Sequence, residues 1–179
     1  VFEHLEADIR LFVAEEAHER LFVHAGVVGW GGQAIVLPGG SGTGKSTLVA
    51  ALVQAGATYY SDEYAVFDSH GYVHPYPRPL NLRGEAQGRS RRVPVEELGG
   101  ARGQRPLPVG LVIVTEHQAN AHWRPRPLSP GQVALALLSN TVSVRRQPAV
   151  TLATLQQVVS HAVALKSVRG EAETIATVL

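Results

Sequence analysis

Ala34-Ile35-Val36-Leu37, then Pro38 and Gly39-Gly40-Ser41-Gly42-Thr43-Gly44-Lys45-Ser46, is the stretch that decides the fold. Its second part matches the phosphate-binding pattern G-x-x-x-x-G-K-[ST] at every fixed position. Glycines let the backbone curl so that successive N–H groups point inward at an anion, and a helix beginning near Lys45 adds its positive end. Lys45 can then reach the outer phosphates of a nucleotide, and the Ser46 hydroxyl can hold Mg2+.

The surroundings of this motif favour a P-loop over a glycine-rich turn that matches by accident. An apolar strand precedes it, and an apolar helix over residues 47–53, ending at Gly56, follows it. The predicted nucleotide-binding residues of the loop are Gly39, Gly40, Ser41, Gly42, Thr43, Gly44, Lys45, Ser46 and Thr47.

The composition predicts one ordinary globular domain over residues 1–179. Apolar residues make up 45% of the chain, and the net charge is +1. Such a charge gives no reason to expect nucleic acid or an anionic membrane as a partner. No apolar run approaches the roughly 18 residues that cross a bilayer. The absence of cysteine excludes disulfides and thiolate metal sites, and we expect a cytoplasmic protein.

A hairpin is predicted to lead the chain into the P-loop. A strand over residues 21–30 and a strand over residues 33–37 are joined by the tight turn Gly31-Gly32. A plain doubly wound fold would instead separate neighbouring strands by a helix. His24 lies in the first strand of this hairpin. It is either a structural histidine or, because it shortly precedes the P-loop strand, a residue near the phosphates.

An acidic pair, Asp62-Glu63, interrupts the strand predicted over residues 57–67, directly after the P-loop helix. A carboxylate at this place can coordinate Mg2+ or accept the proton of an attacking hydroxyl, and two carboxylates could divide these tasks. A solvated turn is the alternative. The position after a P-loop helix favours the functional interpretation.

The remainder of the chain carries weaker signals. A Gly-, Pro- and Arg-rich stretch at about residues 84–108 predicts a mobile surface loop, with a lid or docking site as the alternative. Arg83 before it is either a phosphate clamp or a surface residue. A strand over residues 109–116 is expected to be buried on both faces and ends at Glu116, which competes with Asp62 and Glu63.

Helices are predicted after the cap Ser129 and over residues 150–163 and 171–178, with a strand over residues 164–168 between the last two. Residues 1–19 fit either a strand or a helix, because their apolar residues follow neither period clearly.

His24 before the P-loop strand, the loop G-G-S-G-T-G-K-S and the S-D-E after its helix resemble, as a set, the catalytic domain of the HPr kinase/phosphorylase family, including its relatives in peptide-modification gene clusters. The resemblance runs over residues 22–83. It implies an α/β fold with a mixed β-sheet and a P-loop, of the phosphoenolpyruvate-carboxykinase type found in the C-terminal domain of HPr kinase.

The resemblance also implies roles. His24 matches the family's histidine near the transferred phosphate. Asp62 matches the first of two consecutive aspartates, and Glu63 stands at the second. Arg83-Gly84 resembles the tail of the family's E-x-R-G signature, with Asn81 at the glutamate position. Because Asn81 lacks that carboxylate, we expect a kinase without the reverse phosphorylase activity.

The implied activity is an ATP-dependent kinase that transfers the γ-phosphate to a serine of a protein or peptide. ATP would lie on the P-loop with Mg2+ between Ser46 and Asp62. Asp62 or Glu63 would accept the hydroxyl proton, and His24 would orient the acidic group or steady the transferring charge. Alternatives are a kinase of free serine, a P-loop hydrolase using Glu116, and a nucleotide-binding regulator without catalysis. A homo-oligomer is left open, with residues 84–108 as a surface for it.

Overall fold

The computed structural model describes residues 2–17, 19–83, 90–142 and 144–179. It consists of a mixed, mostly antiparallel β-sheet with helices packed on both faces. The strands are β1 (Leu21–Trp30), β2 (Gln33–Pro38), β3 (Thr58–Ser61), β4 (Tyr64–Phe67), β5 (Tyr72–His74), β6 (Leu80–Arg83), β7 (Ser90–Val93), β8 (Leu107–His117), β9 (Arg126–Pro127) and β10 (Val163–Arg169). The helices are α1 (Phe2–Glu16), α2 (Lys45–Gln54), α3 (Pro130–Leu138), α4 (Pro148–His161) and α5 (Ala172–Ala176).

The predicted hairpin before the glycine-rich loop of residues 39–46 is confirmed. We keep the name of the sequence motif, P-loop, for this loop. Strands β1 and β2 pair antiparallel from Trp30 opposite Gln33 onward, around the turn Gly31-Gly32. Both glycines have positive φ, +56° and +79°, which matches the twist that a two-residue hairpin needs. On its other edge β2 pairs with β8 in parallel. The strand that leads into the P-loop is therefore central in the sheet.

The predicted break at the acidic pair is also confirmed. Strand β3 pairs with the inner part of β1, whereas β4 pairs with its first residues, from Leu21 to His24. Asp62 and Glu63 lie between these two strands. The Glu63 carbonyl accepts a hydrogen bond from the Ala25 N–H at 3.2 Å. The chain thereby places the acidic pair beside His24.

Two apolar cores cover the faces of the sheet. One lies under α3 and α4 and includes Leu137 and Leu155. The other lies under α2 and α5 and includes Leu48 and Ile175. Helix α2 contributes buried residues from Leu48 to Val53 without interruption, so the start of this helix is fixed firmly over the end of β2.

The predicted burial of the strand over residues 109–116 on both faces is wrong for its last residues. Val112 and Ile113 are buried, but Glu116 is exposed. The reason is register: β2 pairs with β8 only as far as Val112, and beyond that point β8 keeps only β10 as a neighbour.

Part of the stretch predicted as a surface loop over residues 84–108 instead forms regular structure. Residues 90–93 form β7, which pairs with β6, and Val95–Leu98 form a 3₁₀ helix. Leu80, Val93 and Val95 are buried, and this apolar contact with the α2 side of the core anchors the arginine-rich segment.

The other helix predictions are confirmed, with boundary shifts of a few residues. Residues 2–16, left open between strand and helix, form α1. Among the described residues, no helix combines the length and the apolar character that crossing a membrane requires.

Candidate functional site

The P-loop curls between β2 and α2 through glycines in a left-handed conformation. Gly42 has φ of +89° and Gly44 has φ of +81°, values that residues with a Cβ rarely adopt. The Thr43 hydroxyl donates to the Gly40 carbonyl at 3.1 Å, and the Lys45 ammonium donates to the same oxygen at 2.6 Å. In α2, which is described throughout, no side chain caps the N-terminus and no acidic residue lies in the first turn. The positive helix end is thus left for an anion.

Arg169 braces the end of the loop from the core. It is the last residue of β10, and it is only 1% exposed. Its Nη2 donates to the Gly44 carbonyl at 2.7 Å, and its Nη1 donates to the Gly170 carbonyl at 3.0 Å. Burial lowers the pKa of this guanidinium. Sequence reasoning missed Arg169, because an arginine at the end of a strand has no pattern that separates it from a surface cation.

A cavity of about 730 Å³ opens in front of the loop. It brings together the predicted catalytic residues His24, Lys45, Asp62 and Glu63 with Ser46, the predicted magnesium ligand. The P-loop contributes Ser41, Gly42, Gly44, Lys45, Ser46 and Thr47 to the lining. Gly39, Gly40 and Thr43, also predicted to bind the nucleotide, are not among the residues that line it.

The sequence predicts two further residues, Arg83 and Glu116. The side chain of Arg83 lies outside the part of the chain that the structure describes, and its role as a phosphate clamp stays a prediction. Glu116 is exposed at the end of β8 and is not among the residues that line the cavity.

The Asp62 carboxylate lies beside two hydrogen-bond donors. Its Oδ2 accepts a hydrogen bond from the Asn81 backbone N–H at 3.1 Å. The Tyr59 hydroxyl lies 3.2 Å from Asp62 Oδ1 and 2.7 Å from the Arg78 carbonyl, and donates its one proton to either. Burial and the Asp62 charge raise the pKa of Tyr59, so this donor keeps its proton. Asn81 stands where the resembled family has glutamate, but this difference does not affect the hydrogen bond to Asp62, because the backbone N–H donates it.

Lys45 and Asp62 both line the cavity. Burial lowers the pKa of the Lys45 ammonium, and the Asp62 carboxylate opposes that shift.

Glu63 is engaged by arginines on both carboxylate oxygens. Arg10 Nε donates to Oε1 at 3.0 Å, and Arg78 Nε lies 3.7 Å from Oε2. Asp62 instead lies next to neutral donors, the Asn81 N–H and the Tyr59 hydroxyl.

His24 presents its imidazole to the cavity, where the residue is exposed. Its ring packs on Tyr64 with centroids 4.7 Å apart, and its backbone carbonyl accepts a hydrogen bond from the Gly39 N–H at 3.1 Å. Partial desolvation by the surrounding protein lowers the pKa of His24, the Lys45 charge lowers it further, and Glu63 acts in the opposite direction. A neutral ring can donate or accept a hydrogen bond, whereas a cation could only donate.

A basic wall that sequence reasoning missed completes the cavity. We use this name for Arg10 of α1, Arg78 of the segment after β5, and Arg92 of β7, all of which line the cavity. The Glu6 carboxylate lies among them: Arg10 Nη1 is 3.3 Å from Oε1, Arg92 Nη2 is 3.2 Å from Oε2, and Arg78 contacts Oε1. The arginine-rich composition near Arg92 was the only sequence signal for this wall.

Comparison with protein families and with curated proteins adds nothing to this geometry. No protein-family model matches the sequence, and the search of curated proteins finds no match. Among the described residues, no group of three or more His, Asp or Glu side chains is arranged to hold a metal ion. Mg2+ needs fewer protein ligands, because it keeps waters and binds substrate phosphates. The hydroxyl of Ser46 and the carboxylate of Asp62 are oxygen donors of the kind it prefers.

Proposed function

We propose that this chain is an ATP-dependent kinase that transfers the γ-phosphate of ATP to a serine hydroxyl of a protein or peptide. One observation carries the proposal: a single cavity contains the P-loop residues Lys45 and Ser46 together with Asp62 and His24. We also propose the phosphoenolpyruvate-carboxykinase type of P-loop fold, as in HPr kinase. The hairpin before the loop and the mostly antiparallel sheet support this assignment.

In the proposed reaction the chain mainly positions and stabilises charge. The N–H groups of the P-loop and the Lys45 ammonium hold the phosphates. Ser46 and Asp62 would hold Mg2+, which would supply positive charge against the phosphate oxygens. The serine oxygen forms a bond to the γ-phosphorus while the bond to the bridging oxygen of ADP breaks. Asp62 accepts the serine proton. ADP and phosphoserine are the products.

His24 and Glu63 act around that step. A neutral His24 can hydrogen bond to a phosphate oxygen or to the acidic pair without adding a competing cation. Glu63 holds Arg10 and Arg78 against the cavity, so that their charges remain on the side from which an acceptor enters.

The test is incubation with labelled ATP and Mg2+ and a library of capped serine peptides, followed by mass spectrometry. Lys45→Ala and Asp62→Asn should abolish transfer while circular dichroism shows an intact fold. Lys166→Ala is the matched control, because Lys166 is an exposed lysine on β10 outside the cavity. Transfer that survives in both cavity variants would contradict the proposal. The same assay with free serine and no peptide tests a small-molecule acceptor.

A further inference from the structure

The Glu6 carboxylate occupies a site that arginines from separate parts of the chain build. Arg10 comes from the same helix, Arg78 lies 72 residues away in the sequence, and Arg92 lies 86 residues away. All these guanidinium groups line the cavity that also contains Lys45. A planar guanidinium fork matches a carboxylate well, and for this reason arginine clusters commonly recognise carboxylate or phosphate groups.

Among the described residues, the carboxylates of Glu6 and Glu63 leave a donor of the basic wall unsatisfied. Arg10 Nη1 is buried and lies 3.3 Å from Glu6 Oε1, yet it has no partner with hydrogen-bond geometry among those residues. A buried donor without a partner carries a desolvation cost. This cost falls if a better placed carboxylate replaces Glu6.

The ion pairs between Glu6 and the basic wall can break without a large loss of stability. On the same helix, Ile9 and Phe12 are 54% and 63% exposed, so apolar burial does little to fix that part of α1. On the same helix Ala14 is buried and packs in a small apolar cluster. The Glu6 side chain itself is 39% exposed, and ion pairs at that exposure contribute little net stability.

We infer that Arg10, Arg78 and Arg92 bind a carboxylate of the phosphate acceptor, and that Glu6 occupies this position when the acceptor is absent. The inference rests on the proposed function and adds the chemical class of the substrate. The acceptor carries its serine hydroxyl close to a carboxylate. This carboxylate belongs either to an acidic side chain beside the serine in a peptide or to free serine itself.

Two matched pairs of probes test the inference by titration calorimetry in the presence of ADP and Mg2+. One pair is a capped serine peptide with Asp beside the serine and its twin with Asn. The other pair is L-serine and serinamide. We expect the carboxylate member of one pair to bind roughly tenfold more tightly than its amide twin, as a charge-assisted contact predicts. The pair that shows the preference identifies the source of the carboxylate.

Variants then separate recognition from a merely structural ion pair. Arg78→Gln and Arg92→Gln should remove the preference, whereas Glu6→Gln should tighten binding of the carboxylate probe several-fold, because the competitor is gone. Arg91→Gln is the control for Arg92, since Arg91 is its exposed neighbour on β7 and pairs with Glu97. Glu16→Gln is the control for Glu6, since Glu16 lies on the same helix and pairs with Arg146.

The inference is overturned if no carboxylate probe is preferred by the wild-type protein or by Glu6→Gln, or if Glu6→Gln and Arg78→Gln shift affinity in the same direction. Failure of binding by all probes also counts against it. The proposed function fails separately. Phosphorylation of both twins at equal rates would leave the kinase standing without the carboxylate requirement. A binding preference without any phosphoryl transfer would leave carboxylate recognition standing without the kinase activity.

Discussion

At the scale of single residues, Gly44 ends the P-loop with φ of +81°, and a Cβ added there would lie 2.6 Å from Arg169 Nη2. Arg169 is buried and cannot move aside without losing its bond to the Gly44 carbonyl. Gly44→Ala should therefore distort the loop and reduce ATP affinity at least tenfold in calorimetry. Gly131→Ala in α3 is the matched control, because position 131 lies outside the cavity and a Cβ there meets nothing within 4 Å. Equal losses in both variants would refute this account of the loop.

His24 gives a prediction on protonation. Its pKa should lie below the ordinary 6.5, chiefly because of partial desolvation by the surrounding protein. The unfolded chain then binds the extra proton more readily, so His24 costs the folded state stability as the pH falls through 6.5 toward the lowered pKa. Lys45→Ala should raise this pKa and Glu63→Gln should lower it. An NMR titration, with the resonance assigned through His24→Gln, measures it. A wild-type pKa at or above 6.5 would be incompatible with a desolvated, neutral ring.

At the scale of elements, α3 begins with a reciprocal cap. The Gln132 side chain accepts from the Ser129 N–H at 2.9 Å, and Ser129 Oγ accepts from the Gln132 N–H at 3.4 Å. Ser129→Ala should lower the free energy of unfolding in urea by about 1 kcal/mol. Ser139→Ala, at the other end of the helix, removes only a bond to the Leu135 carbonyl within α3 and should cost less. A smaller loss for Ser129→Ala than for Ser139→Ala would contradict the assignment of the cap.

The elements near the P-loop could be predicted because their signals are local. The Gly31-Gly32 turn, the apolar run of α2 and the acidic break at Asp62-Glu63 each specify structure within a few residues. Helix α1 could not be assigned, since Leu11, Phe12 and Val13 are consecutive apolar residues that remain exposed and so blur the helical period.

The site was predictable only in part, for a related reason. His24, the P-loop residues and the acidic pair are carried by a motif set that the sequence displays. The basic wall depends on contacts between residues as far apart as Glu6 and Arg92, and no local period encodes such contacts. Arg169 was missed likewise, because its partner Gly44 lies 125 residues away.

At the scale of the whole molecule, the acidic pair Asp62-Glu63 and the competing carboxylate Glu116 lie at separate places. Asp62 lines the cavity, whereas Glu116 is exposed at the end of β8. Asp62→Asn should lower kcat for transfer by roughly 10²- to 10⁴-fold, the range for loss of a general base. Glu116→Gln should leave kcat nearly unchanged. The opposite ranking would assign the chemistry to the hydrolase alternative.

The fold also supports the proposed transfer of a phosphoryl group to a hydroxyl. Strand β2, between β1 and β8, brings the P-loop to the place where β1 presents His24 and the β3–β4 connection presents Asp62. In the proposed function, a nucleotide bound there would have the acidic pair and the basic wall on its acceptor side.

The most direct measurement follows the γ-phosphate of labelled ATP in the presence of a capped acidic serine peptide or its alanine twin. We predict that label appears on the serine hydroxyl, that inorganic phosphate stays near background with either peptide, and that Asp62→Asn loses the labelled peptide. Label released as inorganic phosphate at the same rate with both peptides, and unchanged in Asp62→Asn, would contradict the account.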